Sequence, residues 1–424
     1  LYSIAKKYYE ALLADPGNAL FHLTDPRGAS DKSGRTFNNP YQYFFEQMHM
    51  DDAIYADESI YEYPMQQGGG NDGRPYSFGR PSSGGSKAAY PCKSYGQGRI
   101  NPAYFYGVFD PNDMRRDVSI TMTGSNGKGV EKLIPFVPNS KAEGGGLTLN
   151  KWDENRQANP WVAAQRKSGI NGPYMRMSEV YLGYAEVCAA LGDVVTGKQY
   201  LKTVRERSFP QGLANTDAFI ASFGNDLVRA IIEERGFEYA GEGDRRWTLI
   251  RSGYLPEDIK RIKDMTKAMM DGLATKGYYE FENGNIISAY IWTKLVDAKT
   301  IYGHRLTAQC PMDKVNDPVL YPGWRGQKDN WEEMGLNYGS STPATNLAIK
   351  GLFEIVSEEE AASLESQGYT KVNWGIDLVD NRDEYDKYLF WDYDYVSAPI
   401  YLWPFTPNVM AAGGFTNGYG FKQE

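Results

Sequence analysis

Apolar positions repeat with a helical period in five stretches of the chain, separated by long segments in which glycine and proline break any period. In the first, LYSIAKKYYEALLADPGN, the residues Leu1, Ile4, Ala5, Tyr8 and Leu12 fall on one face, and Pro16-Gly17-Asn18 is a stop. Residues 20–160 lack helical periodicity; runs such as QQGGGNDGRPYSFGRPSSGG and KAEGGGLTLN punctuate them, and residues 118–123 and 132–137 read as short strands. Helices return at residue 174 in PYMRMSEVYLGYAEVCAALGD, where Met177, Val180, Tyr181, Tyr184, Ala185, Cys188 and Leu191 form a stripe that Gly192 ends. A helix over 194–207 follows at once, so that 174–207 has the length of one tetratricopeptide-like helix–turn–helix unit. Further helices are predicted over 217–239 and 256–275, the latter with Ile259, Ile262, Met265, Met269 and Met270 on its apolar side. Beyond residue 276 the chain is irregular apart from a strand in IISAYIWTKL, and its last segment, crowded with aromatics, Pro and Gly, is expected to lie extended over the helices.

Composition then removes several function classes. With 45 Lys and Arg against 54 Asp and Glu, the formal charge of −9 argues against a nucleic-acid groove, which needs a basic face. Cys92, Cys188 and Cys310 form no CxxC pair, and His22, His49 and His304 are too few and too dispersed for histidine-based metal chemistry. No cofactor is expected; the loop TDPRGASDKSG, with Asp25 and Asp31, has the acids and carbonyls a Ca²⁺ ion uses but not EF-hand spacing. GSNGKG at 124–129 fits neither a nucleophile elbow nor a P-loop, and GQG at 96–98 is no dinucleotide fingerprint. Asp392 and Asp394 share a strand face, an arrangement better suited to solvation or cation binding than to glycoside hydrolysis. The 32 Tyr and 9 Trp point instead to flat, amphipathic rings at a recognition surface.

The stretch IIEERGFEYAGEGDRRWTLIRSG at 231–253 reads as scaffold. Glu234 and Glu238 are one helical turn apart, and the Gly-Glu-Gly break at 241–243 is expected to fold Arg245, Arg246 and Arg251 back toward them, with Trp247 as an apolar cap. Four pieces, in this order, resemble the SusD/RagB family of outer-membrane nutrient-binding lipoproteins of Bacteroidetes. FDPNDMRRDVSIT at 109–121 resembles the family's Asp-x-Arg element before a strand. YMRMSEVYLGYAEVCAALGD matches its central helix through Arg176, Glu179, Leu182, Ala185, Glu186, Gly192 and Asp193. The 231–253 stretch matches through Glu234, Arg235, Glu238, Glu242, Gly243, Arg246 and Arg251, with Thr248 where the family often has Asp. YLWPFTPNVMAAGGFTNGYGF resembles the family's carboxyl end, although Asn417-Gly418-Tyr419 lacks the proline.

The resemblance implies one SusD-like domain over 1–424, mainly α, with a tetratricopeptide-like helical scaffold and a large loop-rich, partly β or irregular portion. Within it, 1–19 is a scaffold helix, 20–160 a loop-rich ligand-side region, 174–253 the helical core, and 254–424 a helix plus an irregular C-terminal portion. Because Leu1 falls inside a helical face, an N-terminal part bearing the lipidated cysteine and earlier helices is expected to be missing. The resemblance further implies a noncatalytic, lipid-anchored protein on the extracellular face of the outer membrane. Its partner would be a SusC-like TonB-dependent transporter and its ligand an oligosaccharide, with oligopeptide capture as the alternative.

Sugar rings present C–H patches that stack on aromatic faces and hydroxyls that amides and guanidinium groups bind, so loop aromatics beside such groups are the candidates. They are Tyr76 in RPYSFGRP; Tyr95, Arg99 and Asn101 in SYGQGRINPAYFYG; Trp161 in NKWDENRQANPWVAAQR; and Trp324, Arg325 and Trp331 in YPGWRGQKDNWEEMGLNYG.

Overall fold

A computed structural model describes residues 1–26, 39–49, 55–66, 78–81, 94–125, 131–137, 145–153, 168–297, 345–389, 401, 405–414 and 416. The opening helix α1 (Tyr2–Ala14) forms as its period predicts, but it packs by a different face. Ala5, Tyr9 and Leu13, at i, i+4 and i+8, lie against the central helices, while Leu1, Ile4, Tyr8 and Leu12 are exposed. The cause is a close approach at Gly183, where an added Cβ would stand 2.4 Å from the Tyr9 hydroxyl. Only the Tyr9 side of α1 meets that notch.

Next come α2 (Pro40–Gln47), whose Asn39 cap accepts from the Gln42 amide at 3.0 Å, and β1 (Ser59–Tyr63). The expected 118–123 strand is shortened because α3 (Arg115–Ser119) takes its first two positions, leaving β2 (Ile120–Thr121). Then follow β3 (Thr123–Ser125), β4 (Glu131–Leu133) and β5 (Thr148–Leu149) in small antiparallel pairs. The helix expected from residue 174 starts later: β6 (Gly172–Arg176) pairs antiparallel with β1, and α4 runs over Met177–Ala190. Gly192 ends α4 at φ +86°, Asp193 caps α5 (Val194–Arg207), and the two helices form the antiparallel hairpin the sequence pattern indicates. Cys188 is wholly buried on the α4 stripe.

The single helix expected over 217–239 is two, α6 (Thr216–Ala221) and α7 (Leu227–Glu238). Gly224 and Asn225 both adopt left-handed φ of +65° between them, which an α-helix cannot carry, and Asp226 recaps the chain at the Arg229 amide. After α8 (Asp244–Ser252), the long α9 (Leu255–Lys276) brings Met269, Met270 and Leu273 into the main core. IISAYIWTKL contributes two strands, β8 (Ile286–Ser288), paired with β7 (Tyr278–Glu280), and β9 (Tyr290–Asp297). β9 is the centre of an antiparallel sheet with β10 (Thr345–Lys350) and β11 (Thr370–Asn373). Short helices cover 358–366, 375–389 and 407–413.

The core ties the loop-rich part to the helices. Phe105, Tyr106 and Phe109 share one cluster with Phe237 of α7, Met269 of α9 and Trp374, whose Nε1 donates to Tyr106 Oη at 2.8 Å. Tyr41, Phe44 and Phe45 of α2 are buried against Trp152 in a second cluster, each ring stabilising by about 1.5–3 kcal/mol. Architecture is thus mainly helical, with five small sheets among the described residues.

Candidate functional site

Where α7 faces β6, three of the four motifs singled out in the sequence, at 109–121, 174–193 and 231–253, converge in one buried charge cluster. Glu238 accepts from Arg176 and Arg207, both at 2.5 Å, and from Arg115 at 3.1 Å. Glu234 accepts from Arg115 at 2.7 Å and Arg205 at 2.6 Å, and Arg115 is held in turn by Asp113 at 2.7 Å. Glu58 bridges Arg176 and Arg207, while Glu242 joins Arg176 at 3.0 Å to Lys151 at 2.6 Å. Five acids (Glu58, Asp113, Glu234, Glu238, Glu242) thus face five cations (Arg115, Lys151, Arg176, Arg205, Arg207), so the cluster is locally neutral. Burial alone would raise the Glu238 pKa, but Arg207, Arg176 and Arg115 together hold its carboxyl well below the usual range. Burial pushes Lys151 down to about 8, partly offset by Glu242.

The expected partners of Glu234 and Glu238 are therefore corrected. Arg245 binds Glu233 and Asp258, both at 2.9 Å, and Arg251 binds Glu186 at 2.7 Å. Arg246 is half-buried, and Trp247 is 55% exposed and caps nothing. Helical geometry explains this. Glu233 projects about 100° around α7 from Glu234, and the turn at Gly243, with φ +96°, lays α8 on the Glu233 side. Glu58, Lys151, Arg205 and Arg207 carry no local sequence signal for membership, since an isolated charge on a helix end or loop usually faces water.

The β1–β6 sheet lies over this cluster and is inverted relative to ordinary patterning. Its inner face carries Glu62 and Arg176, each 1% exposed. Glu62 accepts from the Ala56 amide at 2.9 Å, from Ser59 Oγ and from Asn171 Nδ2 at 2.9 Å, and burial raises its pKa. Its outer face carries Tyr61, Tyr63 and Tyr174, exposed by 54%, 44% and 59%, beside the exposed Met175. Ring centroids stand 6.1 Å apart for Tyr61–Tyr63, 5.6 Å for Tyr61–Tyr174 and 5.1 Å for Tyr63–Tyr174, with Tyr174 nearly perpendicular to both at 88° and 89°. Sequence reading missed this trio. The alternation Tyr61-Glu62-Tyr63 signals a strand, but its face of exposure depends on the charge cluster below, and the helical period from residue 174 hides that Tyr174 lies in β6.

Of the residues named from sequence, Tyr95 is half-buried. Arg99 bridges to Thr148 through its backbone, and its guanidinium lies against Gly145, whose φ of +87° favours glycine. Asn101 turns the other way: Nδ2 donates to Thr266 Oγ1 at 3.0 Å and Oδ1 accepts from the Ala103 amide at 2.8 Å. Tyr76, Trp161, Trp324, Arg325 and Trp331, with Asp31, Asp392 and Asp394, lie outside the described residues. Asp25 accepts from the Asn39 amide at 3.0 Å, and among the described residues no group of three or more His, Cys, Asp or Glu side chains is placed to hold a metal. A cavity of about 1190 Å³ beside α5 is lined by the ion pairs Lys198–Asp217 and Lys202–Glu206, and among the described residues that line it there is no exposed aromatic ring, Phe209 being buried. Among the described residues no helix is long and apolar enough to cross a membrane.

A family model described as the SusD family matches residues 21–404. A SusD-like protein of Formosa agariphila is 28% identical over 160 residues, which are 38% of this chain and 26% of that protein. Among solved structures, a SusD homolog from Bacteroides thetaiotaomicron is similar at 19% identity and TM-score 0.45, over 62% of this chain and 50% of that one. Surface glycan-binding protein A from the same organism, in complex with laminarihexaose, is similar at 18% identity and TM-score 0.40, over 60% and 51%. The chain spans about a quarter of the curated relative and about half of these two solved chains.

Proposed function

Since the chain belongs to the SusD family, we propose that it is a noncatalytic cell-surface protein that captures oligosaccharides and hands them to a SusC-like TonB-dependent transporter. The observation that carries this reading is the exposed Tyr61–Tyr63–Tyr174 cluster on a sheet pinned from below by buried ion pairs. Three large rings kept in water need a reason beyond packing, and tyrosine supplies a stacking face with few rotors to freeze on binding. The charge cluster holds the strands in place, so the rings are organised before a ligand arrives. In this reading the chain sits on the extracellular face of the outer membrane through a lipid on its N-terminal part, and the transporter barrel covers another face.

Calorimetric titration of the full-length protein against panels of oligosaccharides and of mixed peptides tests the proposal. Saturable binding of an oligosaccharide without product formation, weakened in a Tyr61→Ala/Tyr174→Ala variant, is expected. Binding of peptides alone, or turnover of any bound sugar, would overturn it.

A further inference from the structure

Of the five cations in the buried cluster, four are arginines, whose guanidinium groups do not give up their protons in a protein. Lys151 is the exception. It is wholly buried on the segment that follows β5, and it reaches across to the end of α7. Arg115 faces Asp113, Glu234 and Glu238, and Arg176 faces Glu58, Glu238 and Glu242. Lys151 faces one carboxylate, Glu242, at 2.6 Å, and the same oxygen also accepts from Arg176 at 3.0 Å. Its other acceptor is the Glu238 carbonyl at 3.3 Å, which already takes Tyr41 Oη and Arg176 Nη2, both at 2.7 Å. The least compensated cation of the cluster is thus the one that can lose its charge.

Every element around the amine bears on that charge. From the end of α7, Glu242 and Glu238 favour the ammonium, and from β6 Arg176 opposes it. From α2 the rings of Tyr41 and Phe45, with centroids 5.3 and 4.8 Å away, favour it weakly. Burial outweighs these and lowers the amine's pKa, whereas Tyr41 is pushed well above its ordinary value and stays neutral. Loss of the proton does not strand Glu242, because Arg176 donates to both of its oxygens at 3.0 Å. We propose that Lys151 is a proton-release site built into the scaffold: in neutral solution its ion pair to Glu242 fastens residues 148–153 to the end of α7, and in mild alkali that ion pair is released while the fold is kept. The effect on stability has a definite sign. The folded amine titrates below its unfolded value of about 10.4, so between the two the unfolded chain binds more protons and stability rises with pH.

The test is an NMR titration of the folded, full-length protein labelled with ¹³C at the lysine Cε. One Cε signal should titrate with a midpoint of about 8, apart from the other lysines, and should be missing from Lys151→Met. Glu242→Gln removes the favourable carboxylate and should move that midpoint lower by about one unit. This second variant reads the pairing without deleting the amine, so the test does not depend on Lys151→Met folding. Urea midpoints should rise from about pH 8 to about pH 10 in the unaltered protein and stay level in Lys151→Met. Lysines that all titrate near their ordinary value of about 10.4 would overturn the proposal. So would a displaced midpoint that ignores Glu242→Gln, or a signal that survives in Lys151→Met. Unfolding of the unaltered protein as the displaced signal titrates would show that the ion pair is required for the fold, and would overturn the release.

Discussion

The β9–β10–β11 sheet and the β1–β6 sheet are both small and antiparallel, yet they distribute polarity in opposite ways. In the former, Ile291, Leu347 and Ile349 face the main core, Trp292 and Ala348 pack under a helix on the other side, and Lys294 and Lys371 reach outward over Tyr369 and Tyr290. This is the ordinary solution, in which apolar burial supplies the stability and charge marks the surface. In the latter, carboxylates and guanidinium groups are inside and tyrosines are outside. A charge cluster gives geometry more than net stability, since each ion must be stripped of water before it can be paired. The ordinary sheet is explained by folding alone, whereas the inverted one fits the recognition role proposed for its outer face.

Several substitutions would break or sharpen this contrast. Glu238→Ala leaves Arg115, Arg176 and Arg207 without their shared carboxylate and should cost about 3–5 kcal/mol in urea unfolding at neutral pH. If it costs no more than a surface change, the inner face is not a cooperative cluster. The Glu238 carboxyl is depressed in the folded protein, so its contribution is present above the unfolded value of about 4.3 and is lost as pH falls toward the lower folded value. Stability should therefore fall progressively as the pH drops below about 5, and Glu238→Gln should flatten that part of the profile. In the ordinary sheet, Ile349→Ala, at a fully buried position, should cost about 2–5 kcal/mol with no pH dependence of its own.

Smaller effects separate support from recognition. Asn101→Ala removes the acceptor for the Ala103 amide and the bond to Thr266, and should cost about 1 kcal/mol by thermal unfolding. Tyr174→Ala should change stability by no more than about 0.5 kcal/mol, because its ring is mostly in water, while changing sugar affinity. A large stability loss there would make the tyrosine cluster a packing element and erase the contrast between the two sheets.

Local periodicity determined much of the helical architecture by itself. The α4–α5 hairpin, its Gly192 turn and Asp193 cap, the burial of Cys188 and the inward methionines of α9 all follow from residues within a few turns of one another. The stretch 231–253 reads as scaffold from sequence, and the motifs at 109–121 and 174–193 meet it in one buried cluster. Pairing was another matter. Arg115 lies 119 residues from Glu234, and Arg176 lies 62 from Glu238, and no spacing rule spans such distances. A one-residue step around α7 sends Glu233 to Arg245 and Glu234 to Arg205, a choice made by where α8 and α5 pack. The same holds for the two Tyr-bearing strands: alternation says that Tyr61 and Tyr63 share a face, and only the charge cluster on the opposite side decides that this face meets water. Helical period is a property of the backbone and is written locally, but which side of an element is inside is decided by whatever packs against it.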